Sequence, residues 1–202
     1  MPSVIGAADY LVHRCSRFGP VTPLKLQKLL YYVKAWGTVV GVELVPGDFE
    51  RWDYGPANPS VYNKFKKYGR EPIPRQSNPN IPEDKKELID FIGISYAQYD
   101  AITLSKMTHK EKPWRKTSPN EVISKEIMKK YYSKHPFARN IPFDMEDGPF
   151  YPVGSDSDYG FTLDMAEDEA ERVTRYKSFS EYLENRQEAA DEYDEWKEFI
   201  RA

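Results

Sequence analysis

From Val4 to Phe18 apolar side chains recur every three or four residues, the spacing of an amphipathic helix, and Gly19-Pro20 supplies its stop. Thr22-Pro23 restarts the chain as N-cap and first helical residue, because proline at that position gives up only a donor that a helix end leaves unpaired anyway. The helix opened there is predicted to run to about Gly41. Leu26, Leu29, Leu30, Val33, Gly37 and Val40 fall on one of its faces, which makes it the best core helix and predicts that Lys25, Lys28 and Lys34 lie at or near the rim.

Beyond it, Phe49 to Tyr54 alternates apolar and polar side chains, the pattern of a short strand, with Gly55-Pro56 as its end. A second short helix, about Pro59 to Tyr68, is predicted to bury Val61, Phe65 and Tyr68, while Lys64, Lys66, Lys67 and Arg70 leave its remaining surface basic. After a proline-rich connector, Glu83 to Ser95 and Asp100 to His109 read as helices. Ser118-Pro119-Asn120-Glu121 has the form of a capping box with proline at the first helical position, which predicts a helix to about Tyr132 carrying Val122, Ile123, Ile127 and Tyr131 on one stripe.

Asp147 to Gly154 reads as a linker, and helix is expected from about Asp164, with a second capping box at Ser178 to Glu181. Phe179, Leu183, Ala189, Tyr193, Trp196 and Ile200 share one side of the last segment. The expected fold is mainly α: a compact helical domain over residues 1–143 with one or two short β-strands, then an acidic C-terminal helical extension over 144–202. That extension is expected to pack on the domain or on a partner.

Charge sharpens the division. Residues 1–143 carry 23 Lys and Arg against 14 Asp and Glu, whereas residues 144–202 carry 6 against 18, so a body of +9 precedes a tail of −12. Such asymmetry signals a charged partner or internal neutralisation. The composition, 30% charged and 14% aromatic, is that of a globular chain. No apolar run approaches the roughly 18 residues of a membrane helix, the start lacks a basic-then-apolar leader, and the single Cys15 has no partner for a disulfide. A cytoplasmic protein is expected.

Local signatures of catalysis are missing. There is no Walker loop, no G-x-G-x-x-G and no G-x-S-x-G, and His13, His109 and His135 are too scattered to form a zinc motif. His109 and Glu111 form an H-x-E without the two cysteines that zinc deaminases pair with it. The plainer expectation for His109 is a histidine at a helix C-terminus bonding free carbonyls. No enzyme activity, catalytic residue, metal or cofactor is expected.

Two stretches together resemble the Panacea antitoxin domain family, which includes the SocA-type proteolytic adaptors and the phage-associated GepA proteins. The first is Thr22-Pro-Leu-Lys-Leu-Gln-Lys-Leu-Leu-Tyr-Tyr32 with Trp36, followed by Phe49-Glu-Arg-Trp-Asp-Tyr-Gly-Pro56, Pro59-Ser-Val-Tyr62 and Tyr68-Gly69. The second is Leu104-Ser-Lys-Met-Thr-His-Lys-Glu-Lys-Pro-Trp114, continued by the helix end at Ile127 to Tyr132. The resemblance covers residues 4–132. Lys34-Ala35 stands where the usual pattern has an alanine-glycine or alanine-glutamine pair, and Asp53 and Ala57-Asn58 flank Tyr54-Gly55-Pro56 as further small departures.

The resemblance implies a helical domain that binds and neutralises a toxin encoded beside it, or that delivers the toxin to a protease, and it brings no catalytic residues. Gln27, His109, Glu111 and Trp114 are harder to explain as packing, so a polar cluster joining the second helix to the 104–114 segment is expected, either structural or partner-contacting. Tyr54, Asn58, Glu188, Asp191, Tyr193, Glu195, Trp196 and Phe199 are candidate contacts to the toxin, because aromatic anchors and charged neighbours commonly dominate such interfaces. The rival from the basic body is a nucleic-acid-binding autorepressor, ranked below protein binding because the acidic tail competes with phosphate for the same cations.

Overall fold

A computed structural model of the chain describes residues 3–75, 81–140, 149–153, 176–185 and 187. It divides into two compact units, residues 1–134 and 135–202. The first is mainly helical. Helix α1 spans Val4–Cys15, with the Ser3 hydroxyl accepting from the Gly6 amide at 2.9 Å as its cap, and a 3₁₀ turn at Ser16–Phe18 finishes it before Gly19. Burial pushes the Cys15 thiol up to about 12, so it is an inert core group. Helix α2 spans Pro23–Val40, capped by Thr22 and closed by Gly41 in the left-handed conformation, as the Thr-Pro and glycine signals predict.

Helix α2 is the centre of this unit. Every residue from Lys25 to Gly37 is buried, with α1, α4 (Glu83–Ala97), α5 (Ala101–Lys110), α7 (Lys125–Tyr132) and part of a β-hairpin packed around it. A helix enclosed on all sides has no rim. The expectation for its lysines is therefore corrected: Lys25, Lys28 and Lys34 are buried, and each ammonium reaches a backbone carbonyl. Lys25 donates to Ala97 O at 2.8 Å and so satisfies an orphan carbonyl at the end of α4, Lys28 donates to Pro56 O at 2.9 Å, and Lys34 donates to Val45 O at 2.9 Å. Val40, expected in the core, is only half-buried.

Strand β1 spans Glu50–Trp52, but Gly55-Pro56 does not end the sheet. The chain reverses over Asp53-Tyr54 into strand β2, Gly55–Ala57, paired antiparallel with Trp52 opposite Gly55 and Glu50 opposite Ala57. Helix α3, Pro59–Phe65, follows with Asn58 as its cap and runs into a 3₁₀ turn at Lys66–Tyr68, close to the predicted element.

The helix predicted from Ser118 does not form there. Residues 120–123 instead lie along the free edge of β1: Asn120 N donates to Arg51 O at 2.8 Å, Arg51 N to Glu121 O at 2.9 Å, and Ile123 N to Phe49 O at 2.8 Å. An edge with unpaired backbone groups takes a partner where it can, and this pairing outweighs a local cap. The helix starts six residues later than predicted, at Lys125, with Ser124 Oγ as the accepting cap. Its buried stripe becomes Met128 and Tyr132, while Val122 is exposed and Ile127 and Tyr131 are half-buried. A short helix α6, Lys112–Arg115, links α5 to this segment.

In the second unit, Phe150 and Tyr176 exchange backbone hydrogen bonds at 2.8 and 2.9 Å, and residues 179–185 are helical. Ser178 Oγ accepts from Glu181 N at 3.1 Å, as the second capping box predicts, and the Glu181 carboxylate accepts from Lys177 N. Phe137, Phe150, Phe179 and Tyr182 are buried together, with Phe150 5.0 Å from Phe179 and 4.8 Å from Tyr182 between ring centres. Leu183, on the predicted stripe, is half-buried. Ala189, Tyr193, Trp196 and Ile200, and the boundary expected after residue 143, lie outside the described residues.

Candidate functional site

The β-hairpin of the first unit, paired along β1 with residues 120–123, is held at its tip by side chains. A hairpin of two three-residue strands has too few ladder bonds to stand alone. Four donors from three helices take its carbonyls one after another: Trp114 Nε1 of α6 donates to Trp52 O at 3.0 Å, His109 Nε2 of α5 to Asp53 O at 2.8 Å, Ser105 Oγ of α5 to Tyr54 O at 2.9 Å, and Lys28 Nζ of α2 to Pro56 O at 2.9 Å. Because a carbonyl only accepts, the His109 imidazole carries its proton on Nε2. Ser105 and His109 stand four residues apart, on one face of α5.

The clamp leaves little room. Gly55 sits at φ 97°, where a side chain is strained, and a Cβ there meets Thr108 Oγ1 at 2.6 Å and Lys28 Nζ at 2.9 Å. His109 and Trp114 meet edge to face with ring centres 4.2 Å apart, and the Arg51 guanidinium lies 4.3 Å over the Trp114 ring. Tyr54, at the fixed tip, is 76% exposed.

The four residues expected to cluster do not all meet. His109 and Trp114 act together on the hairpin, and Gln27 is elsewhere, with its amide bracketing the backbone of Asn58: Gln27 Nε2 donates to Asn58 O at 3.1 Å and Asn58 N donates to Gln27 Oε1 at 2.8 Å. Asn58 is buried, its Nδ2 donating to Asp48 O at 2.8 Å and its Oδ1 accepting from Val61 N at 3.1 Å, so its polar atoms are used in starting α3. His109 does bond a free carbonyl, but that of the hairpin rather than of its own helix.

Glu111 joins α2 to α7. Tyr32 OH donates to one carboxylate oxygen at 3.0 Å and Tyr132 OH to the other at 2.6 Å. Tyr32 stacks on Tyr96 at 3.8 Å, and Trp36 Nε1 donates to Tyr96 OH at 2.9 Å, so a polar thread runs through an aromatic core. Desolvation raises the Glu111 carboxyl to about 7 against the pull of the two phenols, and desolvation lowers the Lys28 ammonium to about 7. The two members of the H-x-E pair thus serve different neighbours, and among the described residues no three His, Cys, Asp or Glu side chains gather to hold a metal.

Sequence reasoning missed Lys28, Ser105, Tyr32 and Tyr132 as parts of these networks. The i, i+4 spacing of Ser105 and His109 is the one local signal that points to a shared face. Glu188, Asp191, Tyr193, Glu195, Trp196 and Phe199 lie outside the described residues.

Residues 26–115, a little under half of the chain, match the family model described as antitoxin SocA-like, Panacea domain. The matched stretch lies inside the 4–132 region of the resemblance and contains β1, β2 and all four clamp donors. No curated protein and no solved structure matches the chain. Among the described residues no helix is long and apolar enough to cross a membrane.

Proposed function

We propose that the protein is an antitoxin that neutralises a cognate toxin, encoded beside it, by direct protein–protein contact in the cytoplasm, without a cofactor and without chemistry of its own. The observation that carries this reading is the match of residues 26–115 to the antitoxin SocA-like, Panacea domain, a stretch that includes the whole hairpin and its clamp. Tyr54 supports it physically. The backbone of Tyr54 is already held at the exposed tip, so no loop has to be ordered there on binding, and exposed aromatic side chains commonly carry much of an interface's affinity. In this reading Glu188, Asp191, Tyr193, Glu195, Trp196 and Phe199 add toxin contacts from the acidic extension.

Co-expression of the neighbouring reading frame with and without this chain is the test. The neighbour is expected to arrest growth alone and to be harmless with the chain, and Tyr54→Ala is expected to weaken rescue. A neighbour that is harmless alone removes the reading. The SocA-like description also favours a second form of the same function, delivery of the toxin to a protease: there the toxin disappears from cells when the chain is present, whereas under occlusion its level is unchanged.

A further inference from the structure

The sheet face beside the hairpin tip is apolar along its middle and basic along one flank. Residues opposed across a ladder, and those two apart on a strand, share a side, so Glu50, Trp52 and Val122 stand on one face. Val122 is 48% exposed. Trp52 meets Tyr62 of α3 edge to face at 5.0 Å, and Tyr62, itself 44% exposed, carries the strip onward to Lys66, whose ammonium lies 5.7 Å over its ring. Residues 59–70 contain Lys64, Lys66, Lys67 and Arg70 and no acid. Lys64 is paired with Asp9 at 3.3 Å, whereas Lys66, Lys67 and Arg70 are exposed and form no ion pair among the described residues. The one carboxylate of the strip, Glu50, accepts from Trp52 Nε1 at 2.8 Å.

We propose that this face docks an acidic protein segment, with Lys66, Lys67 and Arg70 meeting its carboxylates and Val122, Trp52 and Tyr62 meeting its apolar side chains. The proposal rests on the antitoxin reading for who the partner is, and adds the chemistry of the toxin surface recognised. Charge complementarity sets the sign of the partner. Its class follows from the aromatic rings. Nucleic-acid surfaces of this composition work by stacking bases on free ring faces, but here Lys66 covers Tyr62, Lys67 lies 5.0 Å over Tyr68, and Trp52 is turned edge to face. An exposed valine beside a carboxylate offers a phosphate backbone nothing, and offers an amphipathic peptide an apolar seat.

The probe is a fluorescein-labelled glutamate–tyrosine copolymer, titrated by anisotropy with the intact chain at low salt, beside a labelled single-stranded oligonucleotide and its duplex. The copolymer is expected to bind more tightly than either DNA, and about tenfold or more weakly to the Lys66→Glu, Lys67→Glu, Arg70→Glu variant. These side chains are exposed, so that variant keeps the parent's melting temperature. Val122→Ser is expected to weaken binding by a smaller factor and to leave its salt dependence unchanged. Absence of copolymer binding, DNA binding of equal or greater strength, or indifference to the triple reversal overturns the proposal. Each of these leaves the co-expression result standing, and a harmless neighbour in that assay leaves the copolymer result standing, so the two readings fail separately.

Discussion

Helix α2 and the α3 turn are both rich in lysine, and they use it in opposite ways. Lys25, Lys28 and Lys34 are buried and point at the carbonyls of Ala97, Pro56 and Val45, so their charges hold neighbouring segments in place. Lys66 and Lys67 are exposed and lie over aromatic rings, so their charges are displayed, while Lys64 beside them is paired with Asp9. The difference teaches that a basic count says little about a basic surface: three of the cations in the +9 body are interior fittings. A buried ammonium bonded only to a neutral carbonyl, as Lys28 is, is costly, because no opposite charge offsets its desolvation, whereas Lys34 also has Glu43 at 3.5 Å. The chain tolerates that cost where the lysine closes a hairpin or a helix end.

The sharpest way to break the contrast is to remove one lysine of each kind and vary pH. The Lys28 ammonium is lowered from 10.5 to about 7, so the unfolded chain binds a proton that the folded chain has released between these values, and this group makes stability rise with pH across that window. Lys28→Met abolishes that rise. Measured by urea unfolding, the stability difference between parent and variant is expected to move by about 3 kcal/mol in the parent's favour from pH 6 to pH 9. A difference that does not change with pH shows the ammonium to be solvated like those of α3.

Glu111 tests the same point with the opposite charge. Its carboxyl is raised from 4.5 to about 7, so the folded state keeps a proton the unfolded state has lost, and this group makes stability fall as pH rises through that window. Glu111→Gln is expected to cancel a fall of about 2 kcal/mol between pH 5 and pH 8. Together Glu111 and Lys28 give the parent a local stability minimum near neutral pH. At the small end, Lys66→Met is expected to leave stability within about 0.5 kcal/mol of the parent at every pH, as surface substitutions do, while weakening copolymer binding.

Particular residues show why part of the site was readable and part was not. Thr22-Pro23, Gly41 and Asp100 act locally, through backbone groups three or four residues away, and the elements they bound fall close to where the pattern places them. Ser118-Pro119-Asn120-Glu121 carries the same kind of signal, yet its backbone pairs with Arg51, about seventy residues earlier, which no local pattern records. Gln27, His109, Glu111 and Trp114 stand out as poor packing candidates, and each does have a specific polar task. Those tasks are shared among three neighbourhoods instead of one cluster, because partners such as Asn58, Asp53, Tyr32 and Tyr132 are distant in sequence.

The sequence by itself determined the helical class, the central place of α2, the Thr22 and Ser178 caps, the Panacea-like pattern and the split between a basic body and an acidic tail, since periodicity, turn chemistry and charge are carried by neighbouring residues. Only the tertiary structure decided that α2 has no rim, that the hairpin is held by Trp114, His109, Ser105 and Lys28, and that Tyr54 is left displayed while Asn58 is buried. Those outcomes depend on which distant carbonyl or phenol arrives beside each side chain, and burial there reverses what the same side chain does at the surface.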